Sequence, residues 1–397
     1  MTLTPHILFH RPTLWSSDIQ CSTKVLARLF AQRGFDVTYL ENPLDPVHLL
    51  RGKGYAQEWK KAPYMDNDVR ILNLATPVPV RDVWPLSTPA ASYLKYRFMM
   101  PSLRSCVTSQ GRSAPELIWT TVPGSVAALK KSFPRAGVVF HVVDYYPAFR
   151  GAAVVPLERQ DYALADAVYV IGTSLRTYLV DNLGVPANKV TVLGQGAELE
   201  IYQAETATPD EIADLPHPRA IWCGVLAKGD PGLFAALAKE IEARGGSLIL
   251  IGPQAQWAQD LARQMPDTVS LPGSKAPPDL PGYLKAADIG VMLYDRGRQE
   301  VYRGQNPLKL YEYTAAGLPV LSTAHDEFDT LHPPVMQIGK ETNIPPAVEA
   351  ILADMDSQKA KASAFAVRHS WQAKVDTIID KFFPDTSDQH KRYGAQC

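Results

Sequence analysis

The chain lacks any apolar run long enough to cross a bilayer: none of its windows approaches about 18 consecutive apolar positions. Cysteine is scarce as well. Cys21, Cys106, Cys223 and Cys397 stand far apart, with no C-x-x-C pair and no histidine at metal-ligand spacing. That excludes a disulfide framework or a zinc finger and reads as reduced thiols in a cytoplasmic protein. No sign of charge prevails: 40 Lys+Arg face 41 Asp+Glu, a net charge of -1. No global field therefore draws nucleic acid, and none is expected as a partner. The first ten residues carry no basic segment ahead of an apolar stretch, so no secretory leader is expected. Short repeats and low-complexity tracts are also missing.

What remains is the composition of a globular protein, 46% hydrophobic and 20% charged over 397 residues, long enough for two cores. Short apolar runs alternate with helical patterns, the signature of parallel βα units. Strands are expected at residues 7–10, 36–40, 70–74, 116–119, 138–143, 167–171 and 189–193, with a helix at 22–33 closed by Gly34. They form one sheet of about seven strands. Residues 203–218 are rich in Pro, Asp, Thr and Ala and read as a linker. A second series follows, with strands at 220–223, 247–251, 289–293 and 319–322 and helices at 232–244 and 307–316. The fold class is α/β with two Rossmann-like domains, 1–202 and 219–369, joined by that linker. A helix and polar tail close the chain at 370–397.

The stretch from Gly304, GQNPLKLYEYTAAGLPV, has the most explicit chemistry. Asn306 suits an N-cap, Pro307 a first helical residue, and Gly317 with Pro319 a stop. Lys309 then falls in the first turn, where the helix dipole disfavours a cation by up to about 1 kcal/mol. An anion bound at the helix N-terminus offsets that, and a diphosphate fits. Glu312 lies three residues on, on the same face, able to accept two ribose hydroxyls. The alternative is a surface i,i+3 ion pair.

The run Asn306-Pro307-Leu308-Lys309-Leu310-Tyr311-Glu312-Tyr313 with Ala315-Ala316-Gly317-Leu318-Pro319-Val320 resembles the donor-binding element of GT-B glycosyltransferases, particularly bacterial exopolysaccharide and teichuronic acid enzymes. Glu158, Ala165 to Val168, Thr173-Ser174-Leu175-Arg176 and Val190 to Gly196 follow the same pattern upstream. Such enzymes have Asn-Gly where this chain has Gln195-Gly196. Cys223-Gly224-Val225-Leu226, Ile251-Gly252-Pro253 and Tyr283 to Gly290 follow it downstream. The resemblance implies two domains facing a cleft, a C-terminal helix crossing back to the first domain, and a nucleotide-sugar co-substrate linked to UDP. The acceptor is then a glycan, a lipid-linked or a small molecule.

Asp144, after the apolar run 138–143, is expected at a strand end facing the ligand crevice, where a carboxylate can deprotonate an acceptor hydroxyl. An aspartate in a similar setting does this in the xanthan glucuronosyltransferase and related inverting enzymes; the alternative is a turn cap before Pro147. His141 reads as a core histidine. Retaining relatives carry E-x7-E, and position 304 is Gly304, with Glu300 and Arg303 out of register, which favours inversion. Asp66-Asn67-Asp68 matches the metal-binding D-x-D of the GT-A architecture but precedes a strand and reads as a turn, so no metal is required. Gly224, Val225, Lys228 and Tyr294 are further donor-side candidates. His10, Arg11, Tyr145 and Tyr146 are acceptor-side ones. Residues 93–104, YLKYRFMMPSLR, interleave basic and large apolar side chains, which suits contact with a membrane surface or an ordinary core helix. A sugar-nucleotide epimerase or hydrolase, or a non-catalytic sugar-nucleotide-binding protein, are the rival functions.

Overall fold

The computed structural model describes residues 4–17, 21–47, 63–80, 83–298 and 305–386. Its chain forms two units, Met1–Gly194 with Gln372–Cys397, and Gln195–Trp371.

In the first unit β1 (His6–His10), β2 (Asp36–Leu40), β3 (Tyr64–Asp66), β4 (Val69–Leu72), β5 (Leu117–Thr120), β6 (Gly137–Val142), β7 (Ala167–Val170) and β8 (Val190–Val192) make one sheet, ordered β3-β4-β2-β1-β5-β6-β7-β8. Six of its seven strand pairs are parallel and β3–β4 is antiparallel. The central strands are buried almost from end to end, as strands covered by helices on both faces are. Strand order reverses at β1, which pairs with β2 on one side and β5 on the other. The carboxyl ends of β1 and β5 therefore flank the crevice where open α/β sheets bind ligands.

Of the helices, α1 (Ser22–Gln32) ends at Arg33 and Gly34, whose φ of 80° closes it. Next come α2 (Pro89–Arg97), α3 (Leu103–Val107), α4 (Val126–Ser132), α5 (Tyr146–Arg150) and α6 (Val155–Leu164).

The second unit holds β9 (Arg219–Cys223), β10 (Ser247–Ile251), β11 (Val269–Gly273), β12 (Ile289–Met292), β13 (Val320–Thr323) and β14 (Val335–Ile338), all parallel, in the order β11-β10-β9-β12-β13-β14. Here the order reverses at β9, between β10 and β12. α7 (Pro231–Ala243) and α8 (Leu308–Ala315) are the helices that bear on the site below. α9 (Trp371–Phe382) belongs to the first unit from Gln372 onward. There Asp376 pairs with Arg33, the Lys374 ammonium donates to the Leu193 carbonyl, and the Phe383 ring lies 4.9 Å from that of Phe35.

Two Rossmann-like units and a terminal helix on the first are as expected; several details differ. The first sheet has eight strands, since 64–72 form a hairpin whose turn, Asn67 and Asp68, has left-handed φ of 46° and 59°. The Asp66 carboxylate accepts from Trp15 Nε1 at 2.7 Å, so this D-x-D is a turn. Residues 203–218 lie within the second unit, with Ile212 fully buried in its core and the Arg219 guanidinium bonded to the carbonyls of Ala213 and Leu215. Two large apolar residues, Ile212 and Leu215, in a polar stretch leave no periodicity to read. β11 and β14 carry too few buried side chains to stand out. Among the described residues no helix is long and apolar enough to cross a membrane.

Ile378 of α9 is fully buried. Ile378→Ala should cost about 2–5 kcal/mol in the denaturant transition of the first unit alone; a change below about 0.5 kcal/mol would show that α9 is not part of that core.

Candidate functional site

α8 is built by local signals and placed by one long-range bond. Gly317, at φ 75°, stops it, and its inner face, Leu310, Tyr311, Tyr313 and Thr314, is buried. The Tyr313 hydroxyl accepts from the Cys223 amide at 2.8 Å, which ties the helix to the end of β9. Gly290 on β12 makes room, since a Cβ there would stand 2.5 Å from the Tyr313 ring. The helix begins one residue later than expected: Pro307, extended at φ -68° and ψ 128°, occupies the N-cap, and Leu308 is the first helical residue. Asn306 is buried and does not cap the helix.

From the first turn of α8 the Lys309 side chain runs to the point where the second sheet reverses. Its Nζ lies 3.9 Å from the Trp222 ring centroid and 3.2 Å from the Tyr294 hydroxyl, and Trp222 and Tyr294 lie at the ends of β9 and β12. Gly224, at φ 136°, closes the third side, for a Cβ there would meet Lys309 Nζ at 2.8 Å. No carboxylate is within ion-pair distance of Lys309 among the described residues. Burial lowers its pKa to about 8, against weaker opposing effects of Cys223 and Glu312.

Glu312 turns the other way and is hydrogen-bonded to the Tyr202 hydroxyl. Burial raises its carboxyl to about 7, Lys309 and that bond opposing and Glu198 adding to the rise. The i,i+3 surface pair is thus not formed. Tyr294 packs against Trp222 at 5.3 Å and edge-on against His325 at 5.1 Å. Leu308 is half-buried, Val225 is exposed, and the Lys228 carbonyl accepts from the Asp295 amide. Gly304, Glu300 and Arg303 lie outside the described residues. Trp222, Tyr202 and His325 were missed in the sequence: each reads as core or linker, and nothing local marks it.

The other candidates gather at the β1/β5 reversal of the first unit. His10 is fully buried, Nδ1 3.1 Å from Thr120 Oγ1 and Nε2 3.4 Å from the Tyr96 hydroxyl. Burial lowers it to about 3, so it is neutral and positions the strand end. Arg11, whose side chain donates to Thr13 and Thr121, is close enough to Asp144 to feel its charge. Asp144 is half-buried just beyond β6, ahead of α5. Tyr146 is buried, its hydroxyl donating to the Thr121 carbonyl at 2.8 Å, and the Tyr145 ring meets that of Tyr178 edge-on at 4.8 Å. His141 is fully buried against Trp119, a core residue. Among the described residues no three His, Cys, Asp or Glu gather as a metal-ligand set.

Residues 21–196 match the family model of the glycosyl transferase 4-like domain, and residues 217–352 that of glycosyl transferases group 1. The chain is similar to a putative teichuronic acid biosynthesis glycosyltransferase, TuaH of Bacillus subtilis (strain 168), at 26% identity over 225 residues, 52% of this chain and 55% of that one. It thus spans about half the length of this curated relative. Two similar solved structures are sucrose-phosphate synthase from Thermosynechococcus elongatus (TM-score 0.68, 17% identity, 97% of this chain and 100% of that one) and Anabaena HepE in complex with UDP and glucose (0.63, 13%, 95% and 99%). At such identities the likeness is one of fold.

A half-buried ammonium whose partners among the described residues are aromatic rings and a hydroxyl is suited to receive an anion. Anion binding raises the Lys309 pKa, so affinity for pyrophosphate, once corrected for the ligand's own ionisation, should be constant below about pH 8 and fall as pH rises through it. Lys309→Met should abolish binding and, by removing a buried charge, stabilise the unliganded protein at pH 6 by about 1–3 kcal/mol. A pyrophosphate affinity in Lys309→Met equal to that of the natural protein would refute this.

Proposed function

We propose, for a chain that belongs to the GT-B-fold glycosyltransferases, that it moves a sugar from a UDP-sugar to an acceptor hydroxyl, inverting the anomeric centre without a metal. One observation carries the donor half: the Lys309 ammonium, held at the β9/β12 reversal without a carboxylate partner beside the open N–H groups that begin α8. Those groups and the ammonium match a diphosphate in charge and geometry. UDP is the nucleotide favoured here because the HepE structure of the same fold holds UDP and glucose. Glu312 then accepts the ribose hydroxyls, exchanging its bond to Tyr202.

In the transfer step the acceptor oxygen forms a bond to the anomeric carbon as the bond to the β-phosphate oxygen breaks. The charge that grows on the leaving diphosphate is what Lys309 and the α8 amides stabilise. Asp144 takes the proton of the acceptor hydroxyl. Its place at a strand end of the first unit, with Arg11 and Tyr146 around it, suits that role. Inversion follows from Gly304, which puts no carboxylate where the retaining E-x7-E carries its first. The acceptor is a glycan, a lipid-linked or a small molecule.

UDP at about 100 times its Kd should add about 2.7 kcal/mol of stability, visible as a thermal shift, and Lys309→Ala should erase the shift. Absence of stabilisation by any nucleotide would sink the donor reading. Asp144→Asn should lower kcat by about 10²–10⁴ with UDP affinity unchanged, and the product anomer, read by NMR, should be opposite to the donor. Undiminished transfer by Asp144→Asn would remove it as the base.

A further inference from the structure

The first unit carries its charge unevenly. Residues 83–143 hold seven Lys and Arg and a single carboxylate, Glu116, in a chain whose overall balance is -1. Three of the seven are spoken for: Lys95 is buried, Arg112 pairs with Asp36 and Lys130 with Asp166. Arg97, Arg104, Lys131 and Arg135 are exposed, and none makes an ion pair among the described residues.

The same segment exposes large apolar side chains. α2 buries Ser92, Lys95 and Tyr96 and leaves Ala90, Leu94, Arg97 and Phe98 outside, one stripe at helical spacing. Leu94 is 42% and Phe98 49% exposed, and Met100, just past the helix, 60%. Trp84, in the turn that leads into α2, is 83% exposed. The basic residues flank this stripe: Arg97 lies on it, and Arg104 of α3 donates to the Ser132 carbonyl at 2.8 Å, which sets it beside the end of α4 with Lys131 and Arg135. A scattered exposed leucine needs no explanation, but a tryptophan, a phenylalanine, a leucine and a methionine around one short helix do.

We propose that α2 and its flanks are the face on which this protein docks to an anionic lipid surface. Apolar side chains enter the headgroup boundary, the exposed tryptophan suits the interface, and the unpaired arginines and lysine meet lipid phosphates. The charge pattern favours lipid over a second copy of this chain: on a self-complementary face these same-sign cations would confront one another, whereas a negative bilayer neutralises them. α2 also links the face to the acceptor side, because Tyr96 on its inner surface reaches His10 at the β1/β5 reversal, and α5, which starts two residues after Asp144, exposes Phe149. A sugar acceptor anchored in the bilayer is thereby presented to Asp144, a corollary that rests on the transferase reading, whereas the docking does not.

The test is co-sedimentation of the full chain with phosphatidylcholine vesicles, with and without phosphatidylglycerol, at about 0.15 M salt. Binding should require the anionic lipid and be lost near 1 M salt. The pairs Leu94→Glu with Phe98→Glu, and Arg97→Glu with Arg104→Glu, should each weaken it about tenfold or more. Both should keep the natural thermal shift with UDP, since none of these residues touches the donor site. Failure of the natural protein to sediment with anionic vesicles, or unchanged binding in both pairs, overturns the proposal. So does a dimer in light scattering that Phe98→Glu dissociates, which would assign the face to a second copy. A missing UDP response in the natural protein counts against the donor reading alone.

Discussion

An ammonium confined at the reversal of the second sheet sets the demands that its surroundings meet. Desolvating a lysine costs several kcal/mol, of which a cation–π contact returns about 2. Lys309 therefore sits in an environment that holds it in place without neutralising it. The glycine at 224, the ring of Trp222, the hydroxyl of Tyr294 and the Tyr313 anchor of α8 all serve that one placement. A carboxylate in contact would have been the more stable arrangement for the unliganded chain, and Glu312, three residues away, is turned to Tyr202 instead. In the proposed donor site a diphosphate's negative charge would recover the stability given up there.

The buried carboxylates of the first unit are used differently. Asp161 accepts from the amides of Gly124 and Val126, satisfying the start of α4 from α6, and burial lifts it to about 7. Glu158 accepts from the hydroxyls of Tyr162 and Tyr178. Both belong to the packing between helices. Asp144, half-buried at a strand end, stands outside those helix–helix bonds, and its surroundings differ in kind, with Arg11 and Tyr146 as the groups that feel its charge. His10, Thr120 and Ser125 form a buried chain of hydrogen bonds behind it. Side chains that look catalytic by type at this edge hold the strands, and only some of them face the crevice.

Most strands were legible because a parallel strand buried on both faces is an unbroken apolar run, as in SLILI and GVVFHV. The elements that escaped are those with a wet face or a short reach: the hairpin strand β3, β11 with only Val269 buried, and β14 with only Ile338 buried. Residues 203–218 escaped for the opposite reason, since polar composition concealed a segment that Ile212 pins into the core. In the 93–104 stretch, composition left both a core helix and a surface contact open. The structure divides the stretch, burying Tyr96, Met99 and Leu103 and exposing Leu94, Phe98 and Met100.

Sequence alone determined the α/β class, the two-part chain, the existence of α8 and the presence of Lys309 and Glu312 on it, because caps, stops and apolar period act between neighbours along the chain. Only the tertiary structure decided what surrounds them. Trp222 comes to Lys309 across 87 positions and Tyr202 to Glu312 across 110, and neither residue carries a local mark of that role. Sheet order sets that placement, through β9 pairing with β12 on one side and β10 on the other. Strand order is settled by the packing of whole faces, a sum over many long-range contacts, and no short window of sequence contains it.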